Sequence, residues 1–248
     1  MKKLIAISLV IGFMGYGCTT SDPDPKPETE VQELTIKIDH TINGSPIDYI
    51  KTEYTLGAGT VVKITRLSYI LSNFFLEKSD GSKIEFEDHY ALIEAHRDYT
   101  QLVLPNVPKG SYKSIGFSIG LDSAVNHADP NQYDVNHPLS PINNALHWNW
   151  TAGYIFIAVE GRLASNNNSY VYHLAGDVNR VDYNFPLTFS KEAPALTASM
   201  EFEYEEIFEN PNMFDMEVSG MSAHSETGPV TTALIENIQN AIKLIKVE

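Results

Sequence analysis

The chain has a single cysteine, Cys18, among its 248 residues. One thiol cannot form a disulfide within the chain, so the fold is expected to hold without one. The sequence also lacks a His-Glu-x-x-His helix and a glycine-rich loop of the phosphate-binding kind. These absences predict a protein that is not an enzyme.

Basic residues are also few. The 17 lysines and arginines stand against 32 aspartates and glutamates, giving a formal net charge of -15 at pH 7. Nucleic acids and anionic lipid surfaces attract positive charge, so this composition excludes nucleic acid as a partner and argues against electrostatic docking on a membrane.

Long hydrophobic runs are absent as well. Residues 4–14 form an apolar run behind Lys2 and Lys3, and this run is shorter than the roughly 20 residues that cross a bilayer. Small residues then lead to Cys18, which is the pattern of a lipoprotein signal peptide over residues 1–17. We expect Cys18 to carry the lipid that anchors the protein to a membrane. Loss of Lys2 and Lys3 with the signal would make the net charge two units more negative.

Residues 18–33 combine prolines with acidic and small polar residues, a composition that predicts a disordered tether. The expected location is the cell envelope, with the lipid-anchored protein facing the periplasm or the cell exterior. Residues 34–248 are about the size of one domain.

Strand patterns dominate that domain. We predict an all-β fold, a β-sandwich of mostly antiparallel strands with a C-terminal helix. Apolar or alternating runs predict strands at 34–40, 61–65, 67–76, 90–93, 114–119, 154–159, 170–174, 185–189 and 198–204. Only two stretches are predicted to be helical: residues 204–208, which are short and acidic, and residues 230–242, where apolar residues recur with helical spacing.

The segment HWNWTAGY at 147–154 contains both tryptophans of the chain. In an extended segment Trp148 and Trp150 point to one face and His147 to the other. Core packing is one interpretation, because a tryptophan buries a large area. A metal site is the other, since a hairpin through residues 164–168 would bring His173 near the cluster, and neutral imidazole suits copper and zinc.

A long polar insertion at residues 122–141 leads into this segment, and loops of that length are usually functional or disordered. Its carboxylates could offer oxygens to calcium, but their spacing is not that of a known calcium loop. His127 and His137 are interpreted as solvated loop histidines. We expect the insertion to pack beside the tryptophan segment and shield it.

Six short stretches carry a resemblance to the MbnP-like family, named for a periplasmic copper-binding partner of methanobactin. They are LSYILSNF at 67–74, DG at 80–81, SIGLD at 118–122, HWNWTAGY at 147–154, EG at 160–161 and YHL at 172–174. The resemblance covers most of the domain.

The resemblance implies a secreted β-sandwich that binds copper, in some members through histidines and a tryptophan that a di-haem peroxidase-like partner enzyme oxidises to kynurenine. Carried over to this chain, it implies His40 and His173 as ligands, Trp148 or Trp150 as the modified ligand or site neighbour, and His147 as a third candidate. The alternative hypothesis is a surface adhesion or carbohydrate-binding sandwich in which Trp148, Trp150 and Tyr154 stack on sugar.

Overall fold

The computed structural model describes residues 30–149, 152–189, 195–224 and 226–248. Within these residues the protein is mostly β, with 50% strand and 17% helix in two mixed sheets, one of them curled into a half-barrel. The predicted all-β class is therefore confirmed as mostly β structure.

The strands were numbered in chain order. They are β1 (Val31–Ile42), β2 (Ser45–Pro46), β3 (Tyr54–Thr55), β4 (Val61–Lys78), β5 (Lys83–Phe86), β6 (Ala91–Glu94), β7 (Gln101–Pro108), β8 (Tyr112–Ile119), β9 (His147–Asn149), β10 (Gly153–Leu163), β11 (Ser169–Ala175), β12 (Val181–Phe189), β13 (Ala195–Glu203), β14 (Ser222–Ala223) and β15 (Ile242–Val247).

The first sheet has the order β15-β13-β1-β2, and β7 also pairs with β1. The second has the order β12-β8-β4-β10-β11-β14, with β3, β5 and β6 paired to β4 and β9 paired to β10. Each sheet contains one parallel pair, β1 with β13 and β11 with β14, among antiparallel ones. The predicted preference for antiparallel pairing therefore holds for most strand pairs of the described residues.

Five α-helices are described, and most are a single turn. They are α1 (Ser123–Asn126), α2 (Pro141–Asn144), α3 (Glu206–Glu209), α4 (Met216–Ser219) and α5 (Pro229–Ile238), with 3-10 turns at Ala95–Arg97, Pro130–Gln132 and Asp177–Asn179. In this part of the chain, no helix has both the length and the apolar character needed to cross a membrane.

Several predicted elements differ in their limits. The two strands predicted at 61–65 and 67–76 are one continuous strand, β4, and β1 begins at Val31, so residues 31–33 belong to a strand where a tether was expected. The helix predicted at 230–242 is α5, which ends at Ile238, and it is followed by β15. The chain therefore closes on an edge strand of the first sheet, and the C-terminal helix precedes that strand.

The alternation of β1 explains how the two sheets meet. Leu34, Ile36 and Ile38 are at most 1% exposed, and they form one row of the core together with aromatic residues of the second sheet. Burial of this row is the main favourable contribution to folding that β1 makes.

The hairpin predicted through residues 164–168 is confirmed, because β10 and β11 pair antiparallel. Tyr172 and Leu174 are fully buried on β11, whereas the intervening His173 keeps 18% of its side chain exposed. The hairpin thus turns alternate residues into the core and presents His173 on the outer face of the sheet.

Candidate functional site

Two histidines lie side by side at one edge of the second sheet. Tyr172 of β11 pairs in parallel with Ala223 of β14, so the residues that follow them, His173 and His224, are neighbours across the two strands. Their ring centroids are 5.1 Å apart. Partial burial and the adjacent His173 lower the pKa of His224, which favours the neutral imidazole that a metal ion requires.

Trp148 completes the cluster from β9. Its ring centroid lies 6.1 Å from that of His173 and 5.9 Å from that of His224. The indole is 36% exposed, in contrast to the fully buried aromatic residues of the core. We call these three residues, Trp148, His173 and His224, the edge cluster.

A carboxylate and a guanidinium support the edge cluster from the same face of the sheet. Nε2 of His173 lies 2.9 Å from Oε1 of Glu160, and Arg66 donates to the same oxygen from 3.0 Å. The hydrogen bond with His173 and the charge of Arg66 hold the pKa of Glu160 below its usual range. Glu160 is therefore an ionised acceptor.

His40 lies elsewhere, so the structure does not bring it to His173. Its Nε2 is 2.8 Å from the hydroxyl of Tyr69, and its ring stacks on Phe202 at 5.7 Å. Tyr69 faces the first sheet, so its neighbour Ser68 faces the opposite way. Ser68 pairs with Ala158, and Ala158 pairs with His173, so His173 lies on the same face as Ser68. His40 and His173 thus lie toward opposite faces of the second sheet, and the expected convergence of the two is not seen in the structure.

Burial determines the protonation state of His40. Removal from water lowers its pKa to about 4 and outweighs the opposing effect of Asp39. Nδ1 of the ring is buried and has no hydrogen-bond partner among the described residues. His40 is thus a neutral core histidine.

The other predicted site residues are placed as follows. His147 packs edge-on against Tyr154, with centroids 4.8 Å apart, because consecutive strand residues face opposite ways and Trp148 takes the other side. Trp150 and Cys18 lie outside the described residues. The structure therefore joins Trp148 and His173 and adds His224, which the sequence analysis did not consider.

The insertion at residues 122–141 packs beside the tryptophan segment, as expected. Asn126 is fully buried and accepts a hydrogen bond from the backbone of Tyr154 at 2.8 Å. Tyr154 in turn donates its hydroxyl to the carbonyl of Leu139 at 2.7 Å. The insertion covers the Tyr154 side of the segment, and this burial leaves Tyr154 no surface for stacking on sugar.

Three of the loop residues that could offer oxygens to calcium have protein partners. Asp122 pairs with Arg180, Asp129 accepts from the backbone of Asn131, and Asn126 donates to Asp177. The carboxylates of Asp122 and Asp129 are therefore held by protein partners.

Although no nucleophile elbow is predicted, the chain contains the Gly-x-Ser-x-Gly spacing of one in GFSIG at 116–120. Ser118 lies inside β8 and not at a turn between a strand and a helix, and it is only 3% exposed. Its hydroxyl donates to Asp182 at 2.7 Å. A serine in this position lacks the exposure and the basic partner that a nucleophile requires.

The edge cluster offers two imidazoles, which are suitable donors for copper, while the indole nitrogen of Trp148 carries a hydrogen and no lone pair. No three histidine, cysteine, aspartate or glutamate side chains of the described ranges are grouped to hold a metal ion. The residues thus fit a two-histidine copper site that needs one further donor.

Fold and cluster together define a mostly β protein with paired histidines beside a partly exposed tryptophan. A model of the MbnP family matches residues 31–225, and the chain belongs to that family of copper-binding proteins. Its members are generally copper-binding rather than catalytic.

The solved structure of MbnP from Methylosinus trichosporium is similar, with a TM-score of 0.54 and 16% sequence identity over 83% of this chain and 87% of that one. At this identity the likeness shows a shared fold. No curated protein matches the chain.

Proposed function

We propose that this protein holds copper(I) at the edge cluster, with His173 and His224 as ligands, and that it does so in the cell envelope on a lipid anchor at Cys18. The observation that carries the proposal is the pairing of two imidazoles, 5.1 Å apart, beside Trp148. Membership of a copper-binding family supports the choice of metal.

The third donor is Trp148 after oxidation to kynurenine. An intact indole cannot supply it, because its only nitrogen is a hydrogen-bond donor. The exposed third of the Trp148 side chain gives an oxidising partner enzyme access to the ring. Trp148 is the proposed tryptophan because its ring centroid lies 6.1 Å from that of His173 and 5.9 Å from that of His224.

The oxidation balances with peroxide as the oxidant, delivered by a di-haem peroxidase-like partner. Each of two hydrogen peroxide molecules transfers one oxygen atom to the indole and leaves as water, so that the C2–C3 bond is cleaved and N-formylkynurenine forms. Hydrolysis then releases the formyl group as formate and frees an aryl amine with a lone pair. Net, the residue loses one carbon and gains one oxygen, which intact mass detects.

Copper(I) titration tests the proposal. Wild-type protein and the variants His173→Ala and His224→Ala are purified from the native host and titrated with copper(I) against a competing chelator. His127→Ala is the control. His127 belongs to the insertion and pairs with Asp177 at 3.3 Å. Loss of a ligand should weaken binding by more than the roughly 10–100-fold seen when supporting residues are changed.

The control should bind copper as tightly as wild type. Equal affinities for wild type and both cluster variants would contradict the proposal. Unmodified protein expressed without the partner enzyme should bind more weakly than host-derived protein, because it has the intact indole. Equal binding by the two preparations would remove kynurenine from the ligand set.

A further inference from the structure

We infer that Glu160 is a positioning residue of the edge cluster: its carboxylate fixes the ring proton of His173 on Nε2, so that His173 offers Nδ1 to the metal. The inference rests on the proposed function and adds the ligating atom and the residues that select it.

The hydrogen bond between Glu160 and His173 determines which ring nitrogen of His173 carries the proton. Oε1 of Glu160 lies 2.9 Å from Nε2 of His173, and an ionised carboxylate can only accept. Nε2 must therefore carry the hydrogen. A neutral imidazole has one N–H and one lone pair, so the lone pair is on Nδ1.

Strand register explains why these groups meet. Arg66 of β4 pairs with Glu160 of β10, and two residues away Ala158 pairs with His173 of β11. Residues two apart in a strand share a face, so Arg66, Glu160 and His173 lie together on the outer face of the sheet. The contact is a property of the backbone pairing.

Arg66 holds the carboxylate of Glu160 in place beside His173. Its guanidinium donates to the same carboxylate oxygen from 3.0 Å, while its Nε donates to Ser68 at 3.1 Å. The arginine side chain is only 20% exposed, so a carboxylate that moved to the metal would leave a half-buried cation unpaired. Glu160 thus acts on the metal through the imidazole, the arrangement by which carboxylates orient ligating histidines.

Long-range proton–nitrogen NMR of the metal-free protein, at about pH 9 where imidazoles are neutral, reports which ring nitrogen of His173 holds the proton. We expect the proton on Nε2. The same spectrum of host-derived protein loaded with copper(I), a closed-shell ion, should retain it. A proton on Nδ1 before loading, or its loss from Nε2 on loading, would overturn the inference.

Copper(I) affinity of three variants gives an independent readout. Glu160→Ala should weaken binding by roughly 10–100-fold. Glu160→Gln should lose less copper(I) affinity, because the amide oxygen of glutamine can still accept a hydrogen bond from Nε2 of His173. Glu77→Ala is the control, since Glu77 pairs with Lys113 at 2.9 Å far along β4 and should leave affinity unchanged.

Equal affinity of Glu160→Ala and wild type would remove Glu160 from the site. Equal losses in the alanine and glutamine variants would instead mark the carboxylate as a direct ligand, and this too would contradict the inference. If wild-type host protein bound no copper, the proposed function would fail, while the metal-free spectrum would still decide where the proton lies.

Discussion

Replacing His40 with glutamine should remove a large part of the acid sensitivity of the fold without affecting copper. His40 is 8% exposed, and burial lowers its pKa from 6.5 to about 4. The unfolded chain therefore binds a proton at this residue over a pH range in which the folded protein does not. Stability from His40 is present above the unfolded value and is lost as pH falls toward the folded one.

The size of this loss of unfolding free energy follows from the pKa values of His40 in the unfolded and the folded protein. The shift corresponds to about 3 kcal/mol between the two protonation states. Between about pH 7 and about pH 5, wild type should lose about 2 kcal/mol of unfolding free energy through His40 alone. Glutamine does not titrate, and its amide oxygen can accept the hydroxyl of Tyr69, so His40→Gln should lose about 2 kcal/mol less than wild type over the same range.

Urea denaturation at the two pH values measures the difference. Other histidines with lowered pKa values, such as His89 and His96, contribute equally to both proteins and cancel. Asn131→Ala, a change at an exposed residue that does not titrate, serves as the control and should follow wild type. Identical pH dependence in wild type and His40→Gln would refute the assignment of His40 as a buried neutral residue, and weakened copper binding would return it to the site.

Two further changes test the insertion and the anchor. Asn126→Ala should destabilise the protein by about 1–3 kcal/mol, because it leaves the buried N–H of Tyr154 unpaired. It should also speed proteolysis of residues 122–141 relative to the exposed control Asn131→Ala. Equal cleavage of the two variants would show that Asn126 does not hold the insertion. Cys18→Ser should move the protein from the membrane fraction to the soluble one, and persistence of an uncleaved, membrane-bound protein would show that the leader is itself the anchor.

The hydrophobic pattern predicted most of the β structure because burial alternates with the pleat. β1 and β10 were recognised in this way, from an alternating and a continuous apolar run. β7 was missed, since it contains two prolines and exposes Val103, and β15 was missed because its lysines fall within a short edge strand. Edge strands bury less, so their sequences carry a weaker pattern.

The site was harder to predict because pairing between distant strands determines it. Trp148 and His173 were found through a local hairpin, which sequence spacing can suggest. His224 was missed because it reaches His173 through the parallel pairing of β11 with β14, strands separated by about fifty residues, and nothing in the local pattern around residue 224 indicates that pairing. The resemblance suggested His40 by residue type, but it did not indicate on which side of the sheet the side chain lies, and the structure places His40 beside Tyr69.

Because side chains alternate between the two faces of β11, the residues of the edge cluster are separate from the residues that form the core. On β11 the residues beside His173, Tyr172 and Leu174, are fully buried, and they fill the core whether or not a metal is present. Changing His173 to alanine removes a partly exposed ring from the outer face and opens no cavity within. Copper affinity and unfolding free energy should therefore respond to separate sets of residues, so a His173 variant that unfolds like wild type but fails to hold copper identifies a lost ligand and not a damaged core.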